Sequence, residues 1–264
     1  MNKLPRKIIY FDETSAVDLL QIRQKGKLSR TIETIKEFSG GVGAEAKVDA
    51  SLNHDGGAMN IIKKVVGFQG GFGAEFGLDG SFDGNRIAKT VIANSLLYDF
   101  LTAVESRRGN PLLEICEGYT LSIPKDSMTY FATIAPFTEM MEGNQKLENP
   151  DITMAVSKMN TGIRGSKGYY ELIGESNQDK KIFRFNIDTF KNNYRIQDLP
   201  KMDLALYAIQ VGKTKLSHLN FETEFNINNG SSGLEFTAVA SDNLEKVKEE
   251  KSVDVYDVFL AGVK

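Results

Sequence analysis

The residues able to do chemistry are few, and their spacing argues against most of it. The histidines are His54 and His218, and the cysteine is Cys116. A zinc site needs three or four nitrogen and sulfur ligands at short recurrent spacings. Neither histidine has a partner at such a distance. His54 lies in the polar run Asn53-His54-Asp55-Gly56-Gly57, which reads as a turn. His218 reads as the surface of a helix. Cys116 ends the apolar run Leu112-Leu113-Glu114-Ile115-Cys116 and reads as a small core residue. Asp12 and Glu13 follow the apolar stretch 8–11 and could serve as acids at the end of a strand. The favoured reading needs no chemistry: they suit the positive end of a helix that begins there, with Ser15 and Asp18 spaced like a capping box. No Gly-x-Ser-x-Gly elbow and no Gly-x-x-x-x-Gly-Lys-Ser/Thr loop is present, which excludes the usual serine hydrolase and phosphate-loop readings. Gly41-Val42-Gly43-Ala44-Glu45-Ala46 fits the dinucleotide pattern Gly-x-Gly-x-x-Ala, but that motif opens a helix. Here the chain continues as Lys47-Val48-Asp49-Ala50-Ser51-Leu52, which alternates like a strand. No catalytic residue, cofactor or metal is expected, and the reading is non-enzymatic.

The same segment is the informative one. Residues 40–52 are echoed thirty positions later by residues 70–82. In the first copy Val42, Ala44, Ala46, Val48 and Leu52 fall on one face of an alternating pattern. In the second, Phe72, Phe76, Leu78 and Phe82 do so. Glu45, Lys47 and Asp49, then Glu75, Asp79 and Asp83, fall on the other. Period two is the signature of a strand with one apolar and one wet face. Half of the 24 glycines lie in residues 40–84, so this is a distinct compositional block.

Such a pair fits a membrane-inserting β-hairpin. A transmembrane strand needs about 9–11 residues, apolar toward lipid and polar toward the lumen. One hairpin cannot close its own edges, so several subunits would each donate one. Ile61, Ile62, Lys63, Lys64, Val65 and Val66 would then form the crossing tip, with the two lysines at lipid headgroups. The lumen would be acidic and cation-preferring. The same repeat also fits two parallel strands joined by a crossover helix at 59–66. It fits, too, a flexible segment that orders on binding.

The surrounding sequence positions this block within an α+β chain. Residues 7–11 read as a strand, and a helix opens at Asp12 and stops at Gly26. Residues 29–38 have β-branched content and read as a strand leading into the repeat. Residues 85–107 carry a wide apolar stripe and read as a helix ended by Gly109 and Pro111. Strands are predicted at 112–123, 128–134, 152–156, 169–174, 181–186, 204–211, 234–240 and 253–263. Residues 176–179 would make the turn of a hairpin. Helical turns are predicted at 136–141, 187–194 and 215–225, a loop at 226–233 and a solvated charged stretch at 242–252. The expected organisation is an N-terminal α+β part (1–38 and 85–124), an inserted Gly/Ala-rich β segment (39–84) and a C-terminal α+β domain (125–264). Its sheets would be mixed or antiparallel.

Bulk properties bound the partners. A net charge of −3 gives no global reason to bind nucleic acid. The aromatics Tyr169, Tyr170, Phe183 and Phe185 are not interleaved with a dense basic cluster and read as sheet residues. The basic N-terminus is followed by too short an apolar run for a signal peptide, and no stretch approaches about 18 uncharged apolar residues. One cysteine leaves no disulfide framework. A cytoplasmic protein is expected, membrane-associated on activation.

Three phrases carry a family likeness: Ile8-Ile9-Tyr10-Phe11-Asp12-Glu13-x-Ser15-Ala16-x-Asp18, Ile92-Ala93-Asn94-Ser95-Leu96-Leu97-Tyr98-Asp99-Phe100-Leu101 and Lys167-Gly168-Tyr169-Tyr170-Glu171. They resemble an uncharacterised bacterial family of unknown function, over most of the chain. The resemblance implies a bacterial cytosolic setting, with phage defence as a context, and brings no activity. The leading expectation is an effector that oligomerises with itself and inserts the segment into membrane lipid. The alternative is a soluble homo-oligomeric scaffold that uses it as a structural sheet.

Overall fold

The computed structural model describes residues 5–24, 30–31, 33–35, 82–105, 113–141, 144–146, 153–177, 179–224 and 251–264. The chain forms two compact units, one of Met1–Tyr10 with Ile115–Lys264 and one of Phe11–Glu114. The architecture is α+β. The predicted strand at 234–240, loop at 226–233 and most of the charged stretch at 242–252 lie outside the described residues, as do Gly26, His54, Gly109 and Pro111.

The first unit is built on a mixed seven-stranded sheet. Its strands are β1 (Lys7–Phe11), β2 (Glu114–Cys116), β3 (Thr120–Ser122), β6 (Tyr169–Glu175), β7 (Lys180–Asn186), β8 (Leu204–Thr214) and β9 (Val253–Val263). A separate pair, β4 (Asn144–Lys146) with β5 (Thr153–Ala155), is antiparallel. Sheet order is β2-β8-β9-β7-β6-β3, and β1 also pairs with β9. Strand β9 reads as a nearly continuous apolar run because it is central and covered on both faces. It pairs antiparallel with β8 along its length and parallel with β7 over Asp254–Asp257. Close approach of the N-terminal segment requires a glycine here: a Cβ on Gly262 would meet the carbonyl oxygen of Lys7 at 2.9 Å and crowd Pro5.

The hairpin β6–β7 forms as the alternation predicts, with Leu172 opposite Phe183 and Ile173 opposite Ile182. The predicted turn closes it, Ser176 N donating to the Asp179 carbonyl at 3.0 Å and Asp179 N to Ser176 Oγ at 3.1 Å. Period two then sorts the side chains. Tyr170, Leu172, Phe183 and Phe185 enter the main core with Ile9, Tyr10, Cys116, Leu121, Tyr256 and Val258. Ile182 and Val255 face the other way, onto Leu219. Cys116 is thus the small core residue expected.

Several local predictions are corrected. Residues 112–123 are not one strand but β2 and β3, separated around Gly118, whose φ is +75°. Residues 128–134 are helical: α3 runs Met128–Thr138. Ser127 caps it, its Oγ accepting from Tyr130 N at 3.0 Å. Thr133 and Thr138 donate their hydroxyls back to carbonyls one turn earlier, a bond that suits threonine to a helix. Residues 187–194 are not helical. Asn192 and Asn193 have φ of 55° and 63°, and the backbone bonds go elsewhere: Lys191 N donates to the Ile9 carbonyl at 2.8 Å. The helix expected at 215–225 divides into a 3₁₀ turn, Leu216–Leu219, and the short α5 (Phe221–Glu224). His218 is exposed on that turn, its Nδ1 3.2 Å from the Thr214 hydroxyl.

The second unit is helical where it is described. Helix α1 (Glu13–Gln24) buries Ala16, Val17, Leu19 and Leu20. Asp12, rather than Ser15 with Asp18, caps it: Asp12 Oδ1 accepts from Ser15 N at 3.1 Å, and Oδ2 from Ser15 Oγ at 3.0 Å. Helix α2 (Phe82–Glu105) buries Ile92, Leu96 and Phe100. Residues 30–31 and 33–35, expected as strand, are helical. Among the described residues no helix is long and apolar enough to cross a membrane.

Candidate functional site

Three places bring polar side chains together. The first is a clasp in the helical unit, between residues 30–35 and α2. Asp99 lies on α2 between apolar neighbours. Its carboxylate accepts from Thr31 N at 2.9 Å, from Thr31 Oγ1 at 2.7 Å and from Arg30 N at 3.4 Å. Asp99 therefore caps, from another helix, the backbone donors that the turn at residues 30–35 leaves unsatisfied. One turn further on, Thr34 and Ser95 hydroxyls meet at 2.8 Å in a buried contact. Thr34 Oγ1 also lies 2.9 Å from the Arg30 carbonyl, and Ser95 Oγ donates to the Val91 carbonyl at 3.0 Å. The register is decisive. Thr31 faces Asp99 and Thr34 faces Ser95, so one helix advances as the other recedes. The chain at Ile35 runs toward the end of α2 at which Phe82 begins. Ser95 lies thirteen residues from Phe82, about 20 Å along the helix, so the chain leaves residue 35 near the middle of α2 and returns at its start.

Most of the residues predicted to do the work are in that block. Val42, Ala44, Glu45, Ala46, Lys47, Val48, Asp49, Leu52, Ile61, Ile62, Lys63, Lys64, Val65, Val66, Phe72, Glu75, Phe76, Leu78 and Asp79 lie outside the described residues. Phe82 and Asp83 do not continue the second strand. They occupy the first turn of α2, so the helix starts three residues earlier than its apolar stripe suggests.

The second place is a cleft of about 630 Å³ in the sheet unit. Its walls are α3, the helix α4 (Met159–Ser166), Tyr170 of β6 and the loop 187–197 that follows β7. Asn160 of α4 donates from Nδ2 to Glu139 Oε1 at 2.6 Å. A carboxylate only accepts, so this bond fixes the amide orientation. It leaves Asn160 Oδ1 buried, with no hydrogen-bond partner among the described residues. Pro136 has no N–H to give the Ala132 carbonyl, and both residues line the cleft. Phe190 and Tyr194 supply apolar wall, Phe190 standing 6.4 Å from the Tyr170 ring. Arg195 and Asp188 are exposed at the cleft, and neither has an ion-pair partner among the described residues.

The third is a caged lysine. Lys181, 7 % exposed, sits with Nζ 4.5 Å from the Tyr256 ring centre and 5.4 Å from that of Tyr119, and donates to Cys116 Sγ at 3.8 Å. Tyr119 donates its hydroxyl to Asp179 at 2.6 Å. That donation is the main reason the Asp179 carboxyl is held below its usual range. Burial first, and then the hydrogen bond to Asp179, push the Tyr119 hydroxyl up. The rings, the carboxylate and the thiol account for the lysine as a buried structural cation.

Neither the cleft nor the clasp was singled out in the sequence. Asp99 had a signal, a lone carboxylate among Leu96, Leu97, Phe100 and Leu101. The cleft had none, because its residues come from four separate elements. Among the described residues no cluster of His, Cys, Asp and Glu could hold a metal. No curated protein and no solved structure matches the chain. A family model does match it, over residues 5–263, and the chain belongs to that family, the domain of unknown function DUF6414.

Proposed function

We propose that the protein is a non-enzymatic effector that self-associates and places residues 40–84 in a membrane as an amphipathic β-hairpin. It would be a pore-forming device that stays cytoplasmic until triggered, with phage defence as its setting. The observation that supports this reading is the antiparallel clasp. The chain enters the excursion at residue 35 heading toward the end of α2 at which it returns, and the alternating repeat supplies two strands to join there.

Self-association has support of its own. Helix α3 contains no charged residue, yet Tyr130, Ile134 and Phe137 are exposed at helical spacing along one stripe, and Met140 and Met141 just beyond the helix are exposed too. That stripe also favours the second reading, a soluble homo-oligomeric scaffold in which the repeat is a structural sheet.

Dye release separates the two. Full-length protein is added to liposomes loaded with self-quenched dye, over a range of concentration and pH. Wild type is expected to leak. Val48→Asp and Phe76→Asp put a carboxylate on the lipid face in every subunit and are expected to abolish leakage with the fold intact by circular dichroism. A stable soluble oligomer of wild type that never leaks would sink the pore reading in favour of the scaffold.

A further inference from the structure

We propose that the exposed face of α3 is a homodimer interface, on which a second copy of this chain packs its own α3 antiparallel about a two-fold axis at Ile134. This pairing supplies a contact for the self-association proposed above and rests on that reading. The helix is held from behind: Met128, Thr129, Thr133 and Ala135 are buried, and Thr129 Oγ1 accepts from Glu171 N of β6 at 2.8 Å. Its outer side presents Tyr130, Ile134 and Phe137. Beyond Thr138 the backbone tightens, Glu139 N donating to the Pro136 carbonyl at 3.3 Å and Met140 N to that of Phe137 at 3.2 Å. Three-residue turns eclipse side chains at i and i+3, so Met140 continues the line of Phe137. With Met141 the patch holds five large apolar side chains, 40–74 % exposed.

Two features select a second copy as the occupant. The first is charge. No Asp, Glu, Lys or Arg lies between Met128 and Thr138. Two such faces meet without a like-charge pair and without burying an ion, as a symmetric contact requires of a surface that must match itself. Lys125 and Asp126 stand exposed at the start of the helix, and Glu139 is turned to Asn160 of α4, so charge borders the patch as a polar rim does. An antiparallel crossing also sets the two helix dipoles in their favourable side-by-side order. The second feature is area. At roughly 200 Å² for a side chain of this size, the five expose on the order of 500 Å² per copy. Two copies then bury about 1,000 Å², the lower bound of a specific interface. Tyr, Phe and Met are residue types that interfaces concentrate. The axis sets Ile134 against its own counterpart and Tyr130 against the partner's Phe137. A two-fold contact closes at two subunits, so a larger ring needs a further surface.

The experiment is analytical sedimentation of the full chain across the micromolar range, without lipid. A reversible monomer–dimer equilibrium is expected. Ile134→Glu and Ile134→Lys each change an exposed side chain, so the fold stays intact by circular dichroism. Each alone should weaken the dimer about tenfold or more, because like charges then face each other across the axis. Mixed in equal amounts, the two variants should recover a heterodimer, which loss of apolar surface alone would not give. In a Cys116→Ala chain, Ile134→Cys should form a disulfide-linked dimer on mild oxidation, while Ile22→Cys, at a more exposed residue, should not. Wild type that stays monomeric throughout would overturn the proposal, the face then being covered by another segment of the chain or by lipid. An oligomer left unchanged by Ile134→Glu and by Phe137→Lys would overturn it too, and would spare the self-association reading. A dimer that obeys these variants but never releases dye supports the pairing and removes the pore.

Discussion

Phe183→Ala is expected to lower the free energy of unfolding by about 3–5 kcal/mol, the usual cost of emptying a buried phenylalanine site. Phe183 is fully buried at the centre of β7. Its ring meets Tyr119 edge-on at 5.3 Å and Tyr256 at 5.9 Å. Those two rings also flank Lys181, so their loosening weakens the cage around a buried cation as well as leaving a cavity. The sheet cannot close the gap, because Leu172 is held opposite by the β6–β7 register and Tyr256 by the parallel β7–β9 register. A total stability of about 5–15 kcal/mol makes this loss a large fraction. Urea denaturation reads it as a lower midpoint at unchanged slope. Ile22→Ala, at a residue 77 % exposed, is the control and should stay within about 0.5 kcal/mol.

Gly174→Val is expected to be destabilising by about 1–3 kcal/mol or more, for the opposite reason. Gly174 stands diagonally across the hairpin from Phe183. A Cβ there would crowd Phe183 Cε2, approach Cδ2 at 2.7 Å and lie 3.3 Å from Tyr119 Cδ1. Valine adds two methyls to that collision. The two changes share one space, so they are not independent. The double variant Gly174→Val with Phe183→Ala should cost less than the sum of the singles, since the new side chain enters the cavity. Additivity within about 0.3–0.5 kcal/mol would show that the contact does not govern either effect.

What could be read in advance follows from how local each signal is. The hairpin β6–β7 was legible because its alternation and its Ser176–Asp179 turn lie within eighteen consecutive residues. Strand β9 was legible from its apolar second half, Val258–Val263, the pattern of a strand covered on both faces. Helix α3 was misread because Thr129, Tyr130, Phe131, Thr133 and Ile134 are residue types favoured in strands. The overriding signal was Ser127, whose side chain caps the first turn. The turn at 30–35 was misread for a similar reason: its β-branched residues have their backbone donors satisfied by Asp99, 68 positions away from Thr31. The loop after β7 looked helical by composition, yet its amides bond to Gly168, Asn186 and the Ile9 carbonyl of β1, and Asn192 and Asn193 stand at positive φ. The clasp and the cleft are products of tertiary structure alone. No sequence pattern joins Arg195 and Asp188 to α3 or α4, and nothing near Asn160 announces that its carbonyl oxygen will be buried.

In the proposed pore the two copies of the repeat alternate between lipid and water. The direct measurement replaces residues one at a time with cysteine, in a chain whose buried Cys116 has been changed to alanine. Each variant carries an environment-sensitive fluorophore and is read with liposomes and without. The scan covers positions 42–52 and 72–79, since Phe82 and Asp83 belong to α2. The account predicts a period of two that appears only with lipid. Positions 42, 44, 46, 48, 52, 72, 76 and 78 should shift to an apolar emission and be quenched from within the bilayer, while 45, 47, 49, 75 and 79 remain in water. Emission that is uniform along the segment with liposomes, or the same alternation in the soluble oligomer without them, would contradict it.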